Sequence, residues 1–192
     1  MEKDIRATIS RIFAQYVSAG SYTVYMQVNV TQPRLRSRLL AMAKADRDMR
    51  NNAIHNGESW DYTLDKKHTT ALKKIIKQYG WPTIPMVGVE ASMDAWLIAQ
   101  HADHDRSFQK ECLVLLKQLP VGLVSPSNIA YLEDRILVSE QKLQLYGTQF
   151  DSMGPDMKPL PIKDERHVDE RRKTMGLSTI AEYKELMLKT YS

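Results

Sequence analysis

From Ala91 to Leu119 the chain runs without a glycine or a proline and repeats its apolar side chains at helical spacing until Pro120. A run of that length predicts a single long helix, and a helix with an apolar stripe needs others to cover it. The rest of the sequence supplies them. Ile5, Ile9, Ile12, Phe13 and Tyr16 mark a helix over residues 3 to 18, and Leu35, Leu39, Met42 and Met49 mark another from Pro33 to about Asn51. Leu64, Leu72, Ile75, Ile76 and Tyr79 mark a third over residues 62 to 79, stopped by Gly80 and the Trp81-Pro82 pair.

Between these stripes, residues 20 to 32 are rich in β-branched and aromatic side chains and fit either an extended piece or a continued helix. The segment from Gly80 to Gly88, with two prolines, reads as a rigid connector. A further helix should begin near Pro126 and Ser127, carry Ile129, Leu132, Ile136 and Leu137 inward and end around Lys142. An irregular proline-rich stretch follows. Two last helices fit residues 164 to 176 and 178 to 191, with Gly176 as C-cap and Ser178 as N-cap. The expected fold is therefore mainly α: one domain over residues 1–192, a bundle of six to seven helices with an irregular C-terminal segment.

Composition sets the class of partner. Charged residues make up 26% and hydrophobic ones 43%, ordinary globular usage, and no stretch approaches the uncharged length of a membrane span. The N-terminal residues carry acidic and basic side chains where a signal peptide would be apolar, and the lone Cys112 has no internal disulfide partner, so the expected compartment is the cytoplasm. The net charge of +4 is a weak field, and its densest clusters, Arg34, Arg36, Arg38 and Arg171, Arg172, Lys173, lack the interleaved aromatics of a nucleic-acid binder. The expected partner is a small polar ligand or a peptide, with neither a membrane nor a nucleic acid.

Chemistry concentrates on the long stripe. On a helical wheel centred on His101, Leu97 and Leu115 lie about 40° away, Phe108 and Cys112 about 20° to either side, and Leu119 at zero. His104 falls about 60° and Asp105 about 40° off, so two imidazoles and a carboxylate share the apolar face. Ionisable groups placed there must be neutralised, hydrogen-bonded, metal-bound or open to a cleft. His68 occupies the centre of the third stripe with Asp65 at its border. Were those two helices packed together, Asp65, His68, His101 and His104 would form a metal-ligand set of the kind bundles offer. A His101 without metal would suit general acid or base work. Cys112 reads as a small core residue.

Several short segments recur together here: QHADHD from Gln100 to Asp105, Gln109, AYLEDR from Ala130 to Arg135, QLYGTQF from Gln144 to Phe150, and VDERR from Val168 to Arg172. In this order they resemble an uncharacterised bacterial family, the domain of unknown function 6624, from about Tyr79 to the C-terminus. The family pattern covers Gln100, His101, Asp103, Gln109, Asp134, Arg135, Gln144, Tyr146, Gly147, Thr148 and Gln149; Asp65, His68 and His104 fall outside it.

The working site built on that resemblance assigns catalysis to His101, Tyr146 and Arg135, and ligand binding to Gln100, Asp103, Gln109, Asp134, Gln144, Thr148 and Gln149. On the wheel Asp103 lies about 160° from His101, so it is expected to pair elsewhere, with Arg135 a candidate partner. Asp134 and Arg135 also read as a fold-holding ion pair. Three functions stay open: a small enzyme acting on a polar metabolite or peptide, a binding, immunity or regulatory protein, and a metal-binding bundle. No cofactor fingerprint appears in the sequence.

Overall fold

A computed structural model of the chain describes residues 30–57, 59–152 and 156–191. The helix expected over residues 3 to 18 lies outside them, as does most of the stretch from 20 to 32. Among the described residues there are seven α-helices and no named strand, so the fold is mainly α. The chain divides into two compact units, one within residues 25–128 and the other within residues 129–192, the division falling in the first turn of a helix.

The first unit is built on α1 (Pro33–His55), α2 (Tyr62–Tyr79), α3 (Ile84–Gln100) and α4 (Arg106–Gln118). Helix α1 starts at Pro33, whose missing N–H costs nothing in a first turn, and buries Leu35, Leu39 and Ala43 mainly against α3. Just before it, Thr31 and Gln32 donate their amides to the carbonyls of Pro85 and Met86, so this end of the 20-to-32 stretch is not a continuation of a helix. Helix α2 has the bounds its stripe predicts. The Asp61 carboxylate accepts the amides of Thr63 and Leu64 at its start, and Gly80 ends it.

Two expectations fail in α3 and α4. The connector from Gly80 to Gly88 already contains helix from Ile84, and the break is confined to Gly88, at φ 80° and ψ 165°. The Arg36 guanidinium fills the space where a side chain at 88 would project, and it donates to the Val87 carbonyl at 2.9 Å. The long helix of residues 91 to 119 is in fact two helices, interrupted from His101 to Asp105. The cause is polar competition for the backbone. The buried Gln109 amide donates to the Ala99 and Gln100 carbonyls at 3.2 and 3.0 Å, acceptors that a continuing helix would have given to residues 103 and 104. Asp105 then caps α4 by accepting the Phe108 amide at 3.0 Å.

The second unit holds most of α5 (Pro126–Ser139), a 3-10 turn (Glu165–His167), α6 (Val168–Thr174) and α7 (Ile180–Tyr191). Helix α5 stops three residues short of the expected Lys142, and of the four apolar residues expected to point inward Leu132 and Ile136 are buried while Ile129 and Leu137 are half-buried. Gly176, at φ 64°, lets the Leu177 amide return to the Arg172 carbonyl and close α6. The N-cap of α7 is Thr179 rather than Ser178. Its hydroxyl oxygen accepts the Glu182 amide while Glu182 accepts the Thr179 amide, a reciprocal box that Ser178, one residue too early, cannot make.

Candidate functional site

In the first unit the sequence places a carboxylate inside a core. Asp46 sits seven residues after Leu39 and three after Ala43, on the stripe that α1 buries, and is 1% exposed. A lone carboxylate there would be protonated or expelled. Instead it is surrounded. Asp46 Oδ2 lies 2.9 Å from His101 Nδ1, and Arg50, one turn on, donates Nε and Nη2 to its two oxygens at 3.0 and 3.2 Å. The same Nη2 reaches Asp65 Oδ1 on α2 at 2.7 Å, the Trp60 indole donates to Asp65 Oδ2 at 3.3 Å, and the guanidinium lies 4.6 Å from the Trp60 ring centre. Burial pushes the Asp46 carboxyl up, but the His101 and Arg50 contacts outweigh it and hold it below its ordinary range, so it is ionised at neutral pH.

His101 stands where α3 ends. Because the helix breaks, its ring is not sealed under the next turn, and its side chain keeps 18% exposure. Near it on α3, Gln100 is buried with a side-chain carbonyl that meets no donor in the protein, and Asp94 is buried against Arg47 at 2.8 Å with its second oxygen likewise unmet. His68, 6% exposed on α2, has no hydrogen-bond partner at Nδ1. Burial lowers its pKa, and the charges of Asp46 and Asp65 restore only part of the loss, so the ring is neutral at neutral pH.

The break redistributes the other residues of the expected face. His104 is exposed, Asp105 is a cap that also accepts Lys73 Nζ at 2.6 Å, and Asp103 is exposed and pairs with Arg106 at 2.8 Å. Gln109 is spent on backbone carbonyls and Arg106. Of the four residues considered for metal, Asp65 is committed to Arg50 and Trp60, and among the described residues no three His, Cys, Asp or Glu side chains come together as metal ligands.

In the second unit Asp134, fully buried, accepts the amides of Leu145, Tyr146 and Thr148 at 2.7, 3.1 and 3.0 Å and the Thr148 hydroxyl at 3.0 Å. Burial raises its pKa, and these four donors offset part of that rise. Gln144 mirrors the arrangement: its carbonyl accepts the Gln149 amide, and its Nε2 donates to the Gln149 and Leu160 carbonyls at 3.0 and 2.6 Å. Arg172, 1% exposed, donates to the Tyr146 carbonyl at 2.6 Å and lies over Tyr183, while Arg171 donates to the Leu145 carbonyl at 2.8 Å.

The YGTQ loop is thus held by its backbone, and Asp134, Gln144 and Thr148 hold it. Arg135 does not pair with Asp134; its Nη1 reaches Gln149 Oε1 at 3.4 Å. Tyr146 keeps a half-buried ring whose phenol burial pushes up.

The sequence reading missed Asp46, Arg50, Trp60 and Arg172. The available signal was Asp46 itself, a carboxylate in register with Leu35 and Leu39 on an apolar stripe. Residues 33–192 match the profile of a family described as "Family of unknown function (DUF6624)". No curated protein and no solved structure matches the chain. No helix among the described residues is long and apolar enough to cross a membrane.

Proposed function

The chain belongs to the DUF6624 family, and we propose that it is a small enzyme that moves a proton on a polar substrate through His101. One observation carries this reading: a buried, ionised Asp46 lies 2.9 Å from Nδ1 of an imidazole whose side chain still reaches solvent. A carboxylate in that position fixes the tautomer and supports the imidazolium that forms when the ring accepts a proton from the substrate. Asp46 acts by positioning, and Arg50 and Asp65 keep it charged and in place. Such an assembly costs stability to build from buried charges, and His101 is where that cost has a chemical use.

The test compares wild type with His101→Asn, whose amide still reaches Asp46 and keeps the carboxylate paired. Both proteins are incubated with pooled polar metabolites and dipeptides and followed by NMR, with diethylpyrocarbonate modification mapped by mass spectrometry. The reading expects modification at His101 and a turnover that falls by about 10²-fold or more in the variant, at nearly unchanged melting temperature. A His101 that resists the reagent, together with equal turnover in both proteins, overturns it.

A further inference from the structure

We infer that His68 lines the same site as His101 and takes part in a hydrogen bond with an uncharged hydroxyl or amide group of the substrate. This rests on the acid-base reading above and extends it to the class of group bound. His68 sits at the centre of the α2 stripe beside the buried Leu72 and Ile75, where a leucine would pack without loss. Instead the chain buries an imidazole nitrogen that meets no partner in the protein, at a cost in stability. A polar atom kept there at that cost has its partner in a bound molecule.

The position of the ring fits this role. His68 lies one turn after Asp65 on α2, and Arg50 ties Asp65 to the Asp46 carboxylate that meets His101, so both rings belong to one cluster of charges. The neighbouring charges are also spent. Arg50 divides its guanidinium between Asp46 and Asp65, and Arg47 is paired with Asp94. Two carboxylates share the guanidinium of Arg50, so no surplus positive charge greets a phosphate or carboxylate group. A neutral His68 offers one donor and one acceptor, which is what a hydroxyl or an amide matches.

The experiment records nitrogen-15 histidine side-chain spectra of the full chain while acetamide, ethylene glycol or inorganic phosphate is added. Acetamide or the glycol should move the His68 Nδ1 resonance saturably, and phosphate should not. His68→Leu should abolish the response of His101 to the neutral probes while leaving the melting temperature equal or higher; His68→Asn serves if the leucine variant does not fold. The inference is overturned if neither neutral probe moves Nδ1, or if phosphate moves it at lower concentration. Should His101 still respond to the probes while His68 is silent, His68 alone leaves the site. If both rings are silent and His101 also resists diethylpyrocarbonate, the acid-base reading falls with it.

Discussion

Asp94 offers a quantitative test of how the first unit handles buried charge. The residue is 4% exposed, one carboxylate oxygen has no partner, and its pKa is raised from an ordinary 3.8 to about 6 by burial that the Arg47 ion pair only partly offsets. Between those two values the folded chain holds a proton that the unfolded chain has released. Stability therefore falls as pH rises through that window, the reverse of the usual salt-bridged aspartate. The gap is worth about 3 kcal/mol at most, or about 6–12 °C in melting temperature for a chain of this size.

Asp94→Asn removes the titrating group, so the difference between wild type and variant should change by about 1.5–3 kcal/mol from about pH 4 to about pH 7, favouring the variant at the higher pH. Losing the charge that Arg47 meets shifts the variant's whole curve without changing this difference in slope. All three tryptophans, Trp60, Trp81 and Trp96, lie in the first unit, so tryptophan fluorescence during urea unfolding reports on the unit that holds Asp94. Parallel pH profiles for the two proteins would show that the carboxyl is ionised throughout, and the account of its burial would be wrong.

Two further outcomes concern the second unit. Asp134→Ala strands three amides and a hydroxyl and should cost about 3–5 kcal/mol, with hydrogen exchange accelerating at Leu145, Tyr146 and Thr148 before the rest of the unit; unchanged exchange at those amides refutes the role given to Asp134. Gly147→Ala places a Cβ 2.7 Å from Ile180 and 2.8 Å from Ile162 at φ 69°, and a loss of about 1–3 kcal/mol is expected in denaturant unfolding followed by circular dichroism.

Where each element's fate was decided by its own residues, the sequence was readable. The α2 stripe with its glycine stop gave the helix its bounds, and the proline that opens α1 gave its start. The failures share another cause, a side chain that acts on backbone some distance along the chain. Nothing in the spacing of residues 91 to 119 says that Gln109 will bond the carbonyls of Ala99 and Gln100, and once it does, a wheel drawn through both helices places Asp103, His104 and Asp105 on faces they do not occupy. The same holds for the YGTQ loop. Its polar composition suited a ligand, yet Asp134 and Gln144 consume most of that capacity within the fold.

The site itself was half legible for a reason that generalises. His101 and His68 were found because each falls on an apolar stripe, and a polar residue in that register must be answered by something. The same rule applied to α1 points to Asp46, the one acid in line with Leu35, Leu39 and Ala43, and so to the partner that His101 lacked in the sequence reading. What the rule cannot supply is pairing across helices. Three polar side chains on three stripes admit several matchings, and Arg50 selects among them by reaching two carboxylates from one turn beyond Asp46. A site of this kind is readable as a set of residues that need partners before it is readable as a geometry. For that reason His68, whose partner the fold does not provide, is the residue from which its chemistry is best pursued.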